Sequence, residues 1–77
     1  MKLDILTPEK SLYSGEAVSV KFPGTAGVFE VLDHHAPIIS TLEAGQIRVR
    51  PANGEDMYFD INAGFVEVLN NVVTVMV

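Results

Sequence analysis

The residues with chemistry to offer cluster in Val28-Phe29-Glu30-Val31-Leu32-Asp33-His34-His35-Ala36-Pro37-Ile38-Ile39, where two carboxylates precede two adjacent imidazoles. In a chain without cysteine, imidazole and carboxylate are the ligands left for zinc, and they also serve as general acids and bases. Glu30, Asp33, His34 and His35 are therefore the candidates for a small metal-dependent β-sandwich enzyme. Their spacing argues against convergence. Adjacent residues on an extended chain point to opposite faces, so His34 and His35 share one ion only across a sharp bend. The helical i, i+4 arrangement of histidines is also missing. The competing reading is a loop corner whose histidines hydrogen-bond backbone carbonyls or a neighbouring chain.

Other chemistries find less. Ser11, Ser14, Ser19 and Ser40 lack the flanking glycines of a nucleophile elbow. Glu30 and Asp33 as paired glycosidase carboxylates would need a sugar cleft, and tryptophan is absent. Gly24-Thr25-Ala26-Gly27 resembles a phosphate loop but precedes neither Lys-Ser/Thr nor a helix, so it reads as a β-turn. Lipoyl and biotinyl carriers are all-β domains of similar size that present a lysine at a hairpin tip, a role open only to Lys10. Surfaces, more than a pocket, are left as the functional parts, and no cofactor is implied.

The elements that would position these residues are strands. Leu3 and Ile5 alternate with Lys2 and Asp4 until Thr7-Pro8-Glu9-Lys10, where proline removes a ladder donor. Leu12-Tyr13 predicts a short strand ending at Ser14-Gly15. From Glu16 to Phe22 the pattern sets Val18, Val20 and Phe22 on one side and Ala17, Ser19 and Lys21 on the other. Pro23-Gly24-Thr25-Ala26-Gly27 predicts a turn with two glycines free for positive φ. Val28 to Leu32 and Ile38 to Leu42 flank the histidine corner, and Glu43-Ala44-Gly45 turns the chain. Gln46 to Arg50 follows with Arg48 and Arg50 on the solvent side. Asn53-Gly54 signals a hairpin, and Met57 to Asn62, Gly64 to Leu69 and Val72 to Val77 complete the set. This rhythm predicts an all-β fold, a small antiparallel β-sandwich or flattened barrel of about eight to ten short strands in a single domain over residues 1–77.

Composition narrows the partners. The net charge is −5, with 5 basic against 10 acidic residues, which disfavours a nucleic-acid backbone. No segment approaches the roughly 20 continuous apolar residues of a spanning helix, and the start lacks the features of a signal or transit peptide. A cytosolic protein with a native start is expected. The 48% hydrophobic share is high for 77 residues and leaves apolar surface for a partner.

Taken together, Leu3-Asp4 with Ser14-Gly15, Gly24-x-x-Gly27, His35-Ala36-Pro37, Gly45 before Ile47-Arg48, and Gly64-Phe65-Val66-Glu67-Val68 leading into Asn71-Val72-Val73-Thr74-Val75 resemble one family. It is the N-terminal β-sandwich of the epsilon subunit of F-type ATP synthase, called delta in mitochondria. The match runs through nearly the whole chain in the family's order. Two features depart from it. The family's C-terminal pair of helices, which inhibits ATP hydrolysis, has no counterpart in the 77 residues. Asp33-His34-His35 also stands where many members have Pro-Gly-His.

The resemblance implies a non-catalytic central-stalk subunit, without the helical brake, that couples the gamma subunit to the c-ring during proton- or sodium-driven ATP synthesis. It implies a gamma-facing set of Thr7, His35, Ala36, Pro37, Ile39 and Thr41, and a c-ring-facing turn of Gly24, Thr25, Ala26, Gly27 and Val28. The expected location is peripheral, in the F1 sector on the cytoplasmic face of a bacterial inner membrane. His35 would then be an interface residue, with His34 its more exposed neighbour.

Overall fold

Alternating apolar residues build nine strands in the computed structural model, which describes residues 1–77. They are β1 (Lys2–Leu6), β2 (Ser11–Glu16), β3 (Ser19–Gly24), β4 (Gly27–Leu32), β5 (Ile38–Leu42), β6 (Gly45–Arg50), β7 (Met57–Ile61), β8 (Gly64–Leu69) and β9 (Val72–Met76). The strand order is β2-β1-β9-β8-β5-β3-β6-β7, with β4 on β3. Strands β3 and β5 pair only at Gly24 and Leu42. At that narrow joint the sheet curls over, so β2-β1-β9-β8-β5 faces β4-β3-β6-β7 as two halves of a sandwich.

The inward residues of both halves fill the space between them. Leu3, Ile5, Val66, Val68, Val73 and Val75 come from the first half, and Val20, Phe22, Val31, Ile47 and Val49 from the second, all almost completely buried. Phe22 packs on Phe29 with ring centroids 5.3 Å apart. The two ends of the strand order also meet: Tyr13 of β2 sets its ring edge-on to Phe59 of β7 at 6.3 Å. Side chains close the flattened barrel where no backbone ladder does. Aromatic pairs of this kind contribute roughly 0.5–1.5 kcal/mol beyond the area they bury.

The all-β expectation holds, with local differences. One neighbouring pair, β1 and β9, is parallel, because the last strand enters between β1 and β8. Strand β2 runs from Ser11 through Glu16, longer than Leu12-Tyr13, since it pairs along the whole of β1. Val18 does not join Val20 and Phe22; it is 39% exposed, whereas Ala17 and Ser19 are buried. The cause is a crossing between halves. Ala17 N–H donates to the carbonyl of Met1 and Val18 N–H to that of Arg50, so the alternation slips where the chain leaves one half for the other.

Two turns also differ from expectation, and the third, at Asn70-Asn71, agrees with it. The β3–β4 turn shrinks to Thr25-Ala26, because Gly24 pairs with Gly27 and stays in the ladder. Only Gly27 has positive φ, at 131°. Gly24 is required for space instead: a Cβ there would lie 2.6 Å from the Gly27 carbonyl oxygen and 2.8 Å from the Phe29 ring. In the β6–β7 connection Gly54 is positive at 106° and Asn53 is not. At β8–β9 both Asn70 and Asn71 are left-handed, with φ of 51° and 62°, the conformation of a two-residue hairpin turn that matches strand twist.

Candidate functional site

The histidine corner is shaped by its neighbours. His34 has φ of 61°, a region that costs an ordinary L-residue about 1–2 kcal/mol. Its backbone N–H is held by the Asn71 side-chain oxygen at 2.8 Å. His35 N–H donates to the Leu32 carbonyl at 3.2 Å, closing a turn, and its Nδ1 lies 2.7 Å from the Ala36 carbonyl oxygen. Asp33 is bound by the Met1 amine, and that hydrogen bond holds its carboxyl below the ordinary value of 3.8. Residues 33–37 are all exposed, so the corner is a projecting shape tied down from behind by Asn71 and Met1.

Glu30 is drawn elsewhere. Its Oε2 accepts from the buried Ser19 hydroxyl and, at 2.8 Å, from Arg48 Nη2. These bonds, that from Ser19 foremost, lower its pKa from the ordinary 4.5. Arg48 departs from the solvent-side expectation: its side chain is only 17% exposed, folded over Ser19. Arg50 does reach outward, in a fork of 2.9 and 3.1 Å to Asp56. Glu30, Asp33, His34 and His35 are thus each engaged separately, and no three His, Asp or Glu side chains gather around a point where an ion could sit.

The two outer faces differ. On the first half, the residues that alternate with the core point outward in cross-strand rows. One row is Thr41, Phe65, Met76 and Leu6; the next is Ile39, Glu67, Thr74 and Asp4; then come Leu69, Val72 and Lys2. Ile39 is 69% exposed, and Phe65, Leu69, Val72 and Met76 are each exposed by more than two fifths. Pro37, Ile39 and Leu69 line a shallow depression of about 370 Å³ on this side. The outer face of the second half carries the row Glu30, Lys21, Arg48 and Tyr58, with Val28 and Leu32 exposed beside it. On the first half the exposed apolar residues are interrupted by Glu67, Thr74, Asp4 and Lys2, an arrangement suited to docking.

The residues the sequence singled out distribute over this frame. Ile39 and Thr41 lie on the apolar face, and Pro37 at its edge. His35 and Ala36 lie beyond Pro37, at the Asn70-Asn71 end. Thr7 lies at the opposite end, in a turn where its hydroxyl oxygen accepts from Lys10 N–H at 3.0 Å. The Thr25-Ala26 tip is at that opposite end too, bonded to Thr41. Phe65, Leu69, Val72 and Met76 went unnoticed as surface residues. The signal was there: Glu67 shares the phase of Phe65 and Leu69, and Thr74 that of Val72 and Met76, which marks those positions as the outward ones.

Comparison with known proteins decides the family. The family model described as the ATP synthase delta/epsilon chain, beta-sandwich domain, matches residues 1–77. The chain belongs to this family. An ATP synthase epsilon chain of Chlorobium limicola is 41% identical over 70 residues, covering 91% of this chain and 80% of that one. Another, from Protochlamydia amoebophila, is 40% identical over 74 residues, with 96% and 50% covered. The chain therefore spans most of one epsilon relative and half of the other. Among solved structures, one titled as the central stalk and c-ring of the Tetrahymena thermophila mitochondrial ATP synthase contains a chain that superposes with a TM-score of 0.85 at 14% identity, over 97% of this chain and 60% of that one. At that identity the likeness is one of fold, and it agrees with the epsilon-type sandwich.

Proposed function

We propose that the chain is a non-catalytic rotor subunit of F-type ATP synthase, holding the gamma subunit to the c-ring so that ion-driven rotation of the ring turns gamma without slip. The observation that carries this reading is the set of exposed apolar residues Ile39, Phe65, Leu69, Val72 and Met76 on one outer face in a chain of the epsilon family. Gamma would seat on that face, reaching Thr41 and Thr7 at one end and Pro37, Ala36 and His35 at the other. The tip formed by Gly24, Thr25, Ala26, Gly27 and Val28 would meet the polar loops of the ring. A close-packed interior transmits strain with little deformation, which suits a coupling role in which the domain does no chemistry itself. The chain would sit peripherally in the F1 sector, on the cytoplasmic face of a bacterial inner membrane.

Titration calorimetry of the purified chain against isolated gamma subunit tests this. One-to-one binding with a negative heat-capacity change, the mark of apolar burial, is expected. Absence of binding would remove the apolar face from the rotor interface.

A further inference from the structure

The second half of the sandwich carries a feature of which the rotor reading uses only Val28. Its outer face holds an open cleft of about 640 Å³, within the range of small-molecule sites. The chain has 5 basic residues in all, and Lys21, Arg48 and Arg50 line this one cleft. Each arginine is fixed by its own carboxylate, Arg48 by Glu30 and Arg50 by Asp56, so their guanidinium planes are set in advance. Lys21 is in no ion pair and is exposed. It stands beside Arg48 in the β3–β6 ladder, and Arg48 stands beside Tyr58 in the β6–β7 ladder. Tyr58 is 59% exposed, and Val28 on another wall is 66% exposed.

We propose that this cleft binds a phosphomonoester carrying a planar aromatic group, of the size of a nucleoside monophosphate. Lys21 would take the phosphate oxygens as a mobile point charge, with Arg50 contributing the donors its fork to Asp56 leaves free. The ring of the ligand would lie against Tyr58. Two strand spacings separate Lys21 from Tyr58, about 10 Å, a span that such a ligand bridges. Glu43 and Asp56 also line the cleft and would repel each further phosphate, which disfavours a chain of them.

Titration of the chain with AMP, and separately with inorganic phosphate, at low ionic strength tests the site. AMP is expected to bind one-to-one and more tightly than phosphate. Lys21→Ala should weaken both by about tenfold or more, and Tyr58→Ala should bring AMP down to the level of phosphate. Circular dichroism of both variants checks that these exposed substitutions leave the sheet intact. No AMP binding at about 10 mM, where even a millimolar site would register, overturns the proposal. So does AMP binding that Lys21→Ala leaves unchanged. Cosedimentation with phosphatidic acid vesicles in the absence of AMP binding would assign the cleft to a lipid headgroup and overturn it equally.

Discussion

Thr25 and Thr41 are joined twice: their hydroxyls lie 2.8 Å apart, and Thr25 N–H donates to the Thr41 carbonyl at 3.1 Å. Thr25 belongs to the tip proposed to meet the c-ring, and Thr41 to the face proposed to seat gamma. The two surfaces are thus contiguous at this pair, and a load entering at the tip passes into β5 without crossing a flexible loop. Replacing both threonines by valine keeps the branched side-chain shape and removes the hydroxyl contact. The expected result is retained gamma affinity with weakened coupling of ATP hydrolysis to ion pumping, measured in reconstituted vesicles. Full coupling would show that the contact carries no load.

Ile39→Lys separates docking from folding. Because Ile39 is 69% exposed and faces Glu67 across the β5–β8 ladder, where a cation is favourable, stability should change by no more than about 0.5 kcal/mol. Gamma binding should fall by tenfold or more, about 1.4 kcal/mol. Urea unfolding and calorimetry read the two effects apart.

Gly24→Ala is expected to destabilise the domain by about 1–3 kcal/mol, because the added methyl meets the Gly27 carbonyl and the Phe29 ring in a packed region. A lowered urea midpoint with an unchanged slope is the signature.

The corner responds to backbone demands. His34→Gly suits a φ of 61° and should leave stability unchanged or raise it. His34→Val places a β-branched residue, worse there than histidine, in the same left-handed region and should lower it. Thermal unfolding of the two variants distinguishes them.

Acid should weaken the fold through Glu30. Its folded pKa lies below the ordinary 4.5 owing to the Ser19 hydroxyl and then Arg48, so the folded state favours the ionised form. That stabilisation is fully present above pH 4.5 and is lost as pH falls through the lower folded value. Stability measured against pH should decline over that interval, and Glu30→Gln should flatten this part of the curve. An unaltered slope would show that the cluster with Ser19 and Arg48 does not contribute to acid sensitivity.

The strands were legible because the core positions alternate: Leu3 with Ile5, Ile47 with Val49, Val73 with Val75. The corner between Leu32 and Ile38 was legible as well, from its polar residues and Pro37. What escaped depended on distant partners. Val18 was misassigned because the slip at Ala17 comes from bonds to Met1 and Arg50, far along the chain. Arg48 was placed in solvent because nothing in its own strand announces Ser19 and Glu30 on two others. The outward apolar residues of β8 and β9 resemble core by type, and only Glu67 and Thr74 in the same phase mark that side as the outer one. Part of the proposed site was visible in His35-Ala36-Pro37, through the family motif. The charged cleft was not, because Lys21 and Arg48 lie far apart in the sequence and become neighbours only through the β3–β6 ladder.

The parallel placement of β9 beside β1 bears on how the domain is made in the cell. Lys2 pairs with Val72 and Leu6 with Met76, so β1 leaves the ribosome well before β9 and waits for it before its inner edge is covered. Contacts of such long sequence separation slow folding, and until they form Leu3 and Ile5 are open to the wrong neighbour. A nascent chain halted before Val72 is therefore a natural target for a chaperone.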